Sequence, residues 1–311
     1  MAAAKPKDFV RTGTGAAPAT KPVATGLPGV AGNDPLVLSP ALQDQLRNGT
    51  PVPNDGPYPG PNTTWPVRNL TQPYTDFPFD LVGVLLFTEP GVGDFRCSAS
   101  VTTYGSALNW IWTAGHCVAN GGRQQYYTNL VFCPGWNNGA PNPVFGCWGW
   151  RSATTTGQWF TNGAYTKDYA MVRLQTTGSV LAEKVATAVG GGFGFAWNLG
   201  RDQHWLHMGY PAQAPYDGTK MIVTATEHRY DEVPDSFGPP TNSWGSPQTE
   251  GSSGSPVILD WGYGNGTPGP GFINSTVSYS YPSQPNEMYG PYFDTAACQF
   301  WAANVGWPGT C

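Results

Sequence analysis

Residues 109–118 read NWIWTAGHCV, and the fold turns on how this stretch is taken. The run from Asn109 to Thr113 is aromatic and β-branched, the composition of a strand packed on a pleated surface. Ala114 and Gly115 are small enough to let the chain turn closely, and His116 and Cys117 follow at once. A general base has to be held within hydrogen-bond reach of its partner. A bond from Cys117 back to Cys97 would anchor such a loop, and closing that ring is worth about 3 kcal/mol by loop entropy.

Working outward, the same texture recurs. FDLVGVLLFT, RCSASVTT, YYTNLVFC, YAMVRLQ, HWLHMGYP, TKMIVTATEHRY, SPVILDW and FINSTVSYSY are all short runs bounded by Gly, Pro, Asn or Asp. Helical periodicity is missing until DTAACQFWAANVG near the end. Many short strands with turn residues between them indicate an all-β sandwich or barrels. Only 11 % of the 311 residues are charged while 14 % are aromatic, which excludes an acidic disordered chain or a coiled coil. With a net charge of −5 and no Lys/Arg cluster, nucleic acid and anionic membrane are not expected partners. No run reaches the length of a membrane span.

Residues 1–75 differ from the rest. They hold 13 of the 31 prolines, which marks them as linker-like. One helix signal interrupts them: Ser39 as N-cap, Pro40 at the first helical position, then ALQDQLRNG. The expectation is an irregular N-terminal extension or pro-segment, cut within NDGPYPGPNTTWPVRNLTQPY. MAAAKPKDFV carries no apolar signal core. Either the chain is cytoplasmic, against its cysteines, or, as is expected, it is extracellular with a signal peptide that is not part of this sequence.

The six cysteines contain no C-x-x-C pair. Order along the chain suggests Cys97–Cys117, Cys133–Cys147 and Cys298–Cys311, one of fifteen connectivities, and disulfides imply an oxidising compartment. Five N-x-[ST] sequons, at Asn48, Asn62, Asn69, Asn265 and Asn274, are compatible with secretion.

Of four histidines, His204 and His207 lie three apart, which on a strand places them on opposite faces and argues against a shared metal. His228 reads as a surface or rim residue. In TKDYAMVRLQ, Asp168 stands at the mouth of a strand, where a carboxylate can accept the second N–H of an imidazole. Taken alone it could equally be a turn carboxylate. EGSSGSP, residues 250–256, could equally be a loop. Gly251 and Gly254 nevertheless permit backbone geometry closed to other residues, so Ser253 can project from a tight turn. There the N–H groups of Gly251 and Ser253 would face an oxyanion. Ser255 breaks the G-x-S-x-G motif of α/β-hydrolases. The chain order is His, Asp, Ser.

TAGHC, DYAMVRL and GSSGSP together resemble the trypsin/chymotrypsin-like serine peptidases. GSP and GYP resemble the microbial branch that includes glutamyl endopeptidases. The likeness runs from Phe79 to Pro282. It implies an all-β fold of two antiparallel six-stranded β-barrels with a C-terminal helix, the first over 76–180 and the second over 181–311. It makes His116 the general base and acid, Asp168 its orienter and Ser253 the nucleophile, with Gly251 and Ser253 as oxyanion donors. VSYS matches the segment that pairs with substrate backbone at Ser278, Tyr279 and Ser280. Thr249, Ser278 and Ser280 could line the pocket with hydroxyls. No metal or organic cofactor is implied, the partners are polypeptide substrates, and a monomer is expected.

Three departures matter. Ser252 stands where animal trypsins carry an Asp that pairs with a new N-terminal amine. Pro247 stands where an acidic pocket floor would select Arg or Lys. Val277, Ser278 and Tyr279 occupy the wall where glutamate-specific relatives carry a histidine. The expected function is a secreted serine endopeptidase, made as a zymogen and working through an acyl-enzyme. A catalytically inactive peptidase-like binding protein and a structural β-protein are the alternatives.

Overall fold

The computed structural model of the chain describes residues 4–7, 9–10, 67–69, 74–259, 263–264, 267–268 and 271–311. The helix expected after Ser39 lies outside the described residues, as do the sequons at Asn48, Asn62 and Asn265.

Six strands form the first barrel: Val82–Glu89 (β1), Gly93–Tyr104 (β2), Ala107–Thr113 (β3), Thr128–Pro134 (β4), Trp148–Thr155 (β5) and Ala170–Leu174 (β6). They pair antiparallel in the order β2-β1-β4-β5-β6-β3, and β3 closes the ring by pairing with β2. Val82 to Phe87 are all buried, because inner and outer faces of β1 are both covered. That is why the stretch is continuously apolar rather than alternating.

The second sheet contains Gly194–Phe195 (β7), His204–Gly209 (β8), Ile222–Glu232 (β9), Thr241–Gly245 (β10), Pro256–Leu259 (β11), Phe272–Thr276 (β12), Tyr279–Tyr281 (β13) and Gln284–Gly290 (β14). Their order is β7-β12-β11-β8-β9-β10-β14-β13. The sheet curls so that β12 approaches the end of β14, where Ser275 Oγ donates to Pro291 O at 2.9 Å. Val67–Asn69, inside the stretch read as an extension, adds an antiparallel strand to β9. Tyr74 is buried, and its hydroxyl accepts from Met221 N–H at 3.2 Å. The polar strands β5, β10 and β14 carry no clean alternation in sequence. Neighbours on either side hold them in place.

The C-terminal helix Thr295–Val305 (α1) starts where Asp294 caps Ala297 N–H at 3.0 Å and stops at Gly306 in the left-handed region, φ 72°. Its Trp301 stacks on Phe195 and donates to Thr102 Oγ1 at 3.0 Å, so the helix packs on the first barrel. The six cysteines form three bonds between chain neighbours, Cys97–Cys117, Cys133–Cys147 and Cys298–Cys311. Asn274 is buried, with its side chain bonded to Trp205 Nε1 and Ala196 O, so its sequon is closed in the folded chain. No helix among the described residues is long and apolar enough to cross a membrane.

His204 and His207 do face opposite ways: His204 is exposed beside Glu227, and His207 lies inside the second sheet. His228 departs from the expectation of a surface or rim position. Its ring is buried edge-on to Trp205 and faces Asp231 Oδ1 at 2.8 Å, because the β-branched run before it is a core strand.

Burial pushes the His207 pKa down to about 3, with Ser246 Oγ at 3.1 Å from Nδ1. The unfolded imidazole takes its proton near pH 6.5, so between those values the unfolded state binds more protons and stability falls as pH falls. By about pH 4.5 this amounts to roughly 3 kcal/mol, two pH units of linkage. His207→Gln, which keeps a polar partner for Ser246, should lose less stability than the parent on acidification. Urea denaturation near pH 7.5 and pH 4.5 measures it, and equal losses would rule this source out.

Candidate active site

β3 delivers the chain to a single 3-10 turn, Gly115–Cys117. Gly115 is required there: a Cβ would lie 2.7 Å from Trp159 Cδ1 and 2.8 Å from Asp168 Oδ1. Asp168 stands at the end of another 3-10 turn, Tyr165–Lys167, just before β6. Its carboxylate grips one residue twice. His116 N–H donates to Oδ1 at 2.8 Å, and the ring Nδ1 lies 2.7 Å from Oδ2. Ser278 Oγ donates to the same Oδ2 at 2.6 Å. All three residues are fully buried. A buried carboxylate needs such donors to remain an anion, and an anion facing Nδ1 selects the Nδ1–H tautomer. The basic lone pair is then on Nε2, at the far side of the ring.

The Ser253 turn is placed by two glycines. Gly251 has φ 96° and Gly254 φ 79°, both in the left-handed region. A Cβ on Gly254 would run into Thr113 Oγ1 and Ser98 O and would lie 3.1 Å from Ala114 N. The serine turn therefore rests directly on the histidine turn. Ser98 ties them together. Its N–H donates to Ser253 O at 2.8 Å, and its Oγ donates to Gly251 O at 2.9 Å. The same Oγ accepts from Tyr210 N–H at 2.9 Å, and its carbonyl accepts from Thr113 Oγ1 at 2.9 Å. The Cys97–Cys117 bond then joins the neighbour of Ser98 to the neighbour of His116.

Glu250 O accepts from Ala212 N–H at 2.6 Å. Across a trans peptide the N–H points opposite to the C=O, so Gly251 N–H is directed away from Ala212. Ser252, which replaces the ion-pairing Asp of trypsins, donates to Thr249 O at 2.7 Å. This turn is thus held locally, with no ion pair at residue 252.

The residues expected to contact substrate divide. Ser278 Oγ is bound to Asp168, and Thr249 Oγ1 donates to Gln213 O at 2.7 Å. Tyr279 is buried, with its hydroxyl on Glu232 Oε2 at 2.6 Å and Thr241 Oγ1 at 2.8 Å and its ring stacked on Tyr289. The alternation of β13 sends the Tyr279 side chain inward, while Ser280 stays half-buried. Sequence reading missed the hydroxyl of Ser98, and it assigned Ser278 to substrate contact without its bond to Asp168. The one available signal for Ser98 was a small hydroxyl residue beside Cys97. The sulfurs of Cys97 and Cys117 lie close to His116, but both are disulfide-bonded and offer no thiolate to a metal.

No protein-family model and no curated protein matches the chain. Among solved structures the chain is similar to the thermostable serine protease AL20 from an extremophilic microorganism, at 31 % identity and TM-score 0.62, covering 74 % of this chain and 98 % of that one. It is similar to the protease Anisep from Arthrobacter nicotinovorans at 29 % identity and TM-score 0.63, covering 75 % and 98 %. A Glu endopeptidase solved in complex with MPD shares the fold at 16 % identity and TM-score 0.58, covering 77 % and 96 %. Carrying nearly the whole length of AL20 at that identity, on a closed β-barrel followed by a second curled sheet, this chain belongs to the chymotrypsin-like serine proteases.

Proposed function

We propose that the protein is a secreted serine endopeptidase that cleaves polypeptides through Ser253, His116 and Asp168. The observation that carries this reading is the buried relay Ser278–Asp168–His116, set against a serine turn that Ser98 bonds to the histidine turn. Ser253 Oγ attacks the scissile carbonyl as His116 Nε2 takes its proton. The C–N bond then breaks, His116 gives that proton to the leaving amine, and the acyl group remains on Ser253. Water repeats the sequence: His116 takes its proton, the hydroxide attacks the ester, and Oγ leaves with the proton from His116. The N–H groups of Gly251 and Ser253 stabilise the tetrahedral oxyanion, each such donor being worth about a hundred- to thousand-fold in rate. Asp168 stays an anion throughout and holds the imidazole in the Nδ1–H tautomer.

Three disulfides suit an oxidising, extracellular setting. The preference for Glu that names one structural neighbour has no histidine to support it in this chain's wall segment. Val277, Ser278 and Tyr279 place no cation in the wall, and Pro247 removes the acidic floor that would favour Arg or Lys.

Incubation with a biotinylated fluorophosphonate, followed by peptide mass spectrometry, tests the reading. An adduct on Ser253 that heat denaturation abolishes is the expected result. No adduct on Ser253, before or after limited proteolysis, would instead favour an inactive peptidase-like binding protein.

A further inference from the structure

Lys5–Pro6 and Phe9–Val10 pair with the first barrel and the second sheet respectively. Lys5–Pro6 pairs in parallel with Phe95–Arg96 of β2, and Lys7 N–H donates to Arg96 O at 2.8 Å. Two residues on, Phe9–Val10 pairs in parallel with Tyr279–Ser280 of β13. One residue links Lys7 to Phe9, and alpha carbons two apart span at most about 7 Å. Lys7 on the first barrel and Phe9 on the second sheet therefore lie within about 7 Å of each other.

The neighbours on each bank fix where that approach is. Arg96 precedes Cys97, which is bonded to Cys117 beside His116, and then Ser98, whose N–H holds Ser253 O. Tyr279 follows Ser278, which holds Asp168. The approach is therefore at the candidate catalytic residues. It is also anchored. Lys7 Nζ makes an ion pair with the buried Glu89 Oε2 at 2.5 Å, and lies 4.5 Å from the centre of the Phe95 ring and 5.6 Å from that of Tyr127. Asn120 Nδ2 donates to the other Glu89 oxygen at 2.8 Å, so the carboxylate is oriented toward the lysine.

We propose that the substrate cleft is a docking surface for this chain's own residues 5–10, and that they keep the protease latent until displaced. The inference rests on the reading of Ser253, His116 and Asp168 as the catalytic residues. Peptide substrates bind such clefts by adding a strand, which uses the main-chain N–H and C=O groups of the receiving edge. While residues 5–10 occupy β13 and the edge of β2, neither edge can accept a second chain. Release needs only that this segment leave, because the serine turn is already held by Ser98 and Ser252.

The test uses the full chain in three forms: the parent, Lys7→Glu, and a Phe9→Pro/Val10→Pro double variant. The first substitution sets two carboxylates against each other, and the second removes the N–H groups a ladder requires. Both variants should label with fluorophosphonate, and hydrolyse a denatured protein, about tenfold or more faster than the parent, since the open state is no longer a minor population. A synthetic peptide of residues 4–10 should return the double variant toward the parent rate. Equal rates in all three forms, with no effect of the peptide, would overturn the latency and leave the protease reading standing. No labelling of Ser253 in any form would overturn both.

Discussion

Ser253→Ala, measured in the released enzyme, should lower kcat by about a million-fold and leave the fold in place. The size follows from cooperation. Once Oγ is gone, His116 has no proton to receive and the chemistry is left to water and the oxyanion donors. Those donors are backbone groups fixed by Gly251, Gly254 and Ser98, and none depends on the Ser253 hydroxyl. Ser253 O, which accepts from Ser98 N–H, is also kept in the alanine variant. The urea midpoint should therefore stay close to that of the parent. Peptide hydrolysis within a hundredfold of the parent, with contaminating protease excluded, would remove Ser253 from the nucleophile's role.

Asp168→Asn should lower kcat by about ten-thousand-fold with a much smaller change in KM. The carboxylate accepts three hydrogen bonds, from His116 N–H, the His116 ring and Ser278 Oγ. An amide has one oxygen, so its NH2 group must face at least one of these donors. If it faces the ring, Nδ1 must become the acceptor and the proton moves to Nε2, which can then no longer take one from Ser253. If it faces backbone N–H, a buried donor pair is left unmade at about 1–3 kcal/mol. The two outcomes separate in measurement, one in kcat and the other in the denaturation midpoint. A kcat loss below about tenfold would mean that Asp168 serves only the fold.

Much of this was legible because strands and turns obey local rules. The aliphatic run of β1, the aromatic run of β3 and the β-branched run of β9 all name strands, since packing on both faces leaves few other residues suitable. Gly251 and Gly254 mark a turn with positive φ wherever it lies in the fold. What stayed hidden depended on partners distant in sequence. Ser98 sits in RCSASVTT as one small residue among several, and only the approach of Tyr210 and Gly251 makes its hydroxyl matter. β10 and β14 carry Asn, Ser, Gln and Glu, and are strands because each is paired along its length. The partners of the Ser278 and Tyr279 hydroxyls, Asp168 and Glu232, lie 110 and 47 positions away and leave no mark on the local sequence. Residues 5–10 read as linker because their pairing lies wholly with other parts of the chain.

The two halves of the molecule are pinned at the cleft by bonds that run in both directions. Ser278 of the second sheet reaches Asp168 of the first barrel, and Ser98 of the first barrel holds Ser253 of the second. Lys167 and Asp294 form a third rivet at 2.7 Å, beside Asp168 in sequence. Mechanically this is a lap joint whose pins are the reacting groups or their immediate supports. A hinge placed elsewhere could absorb rotation without disturbing chemistry, whereas shear across this joint would misalign the proposed base, orienter and nucleophile together. On the proposed triad, turnover is therefore expected to fall on a small displacement of one sheet against the other while every strand is still intact.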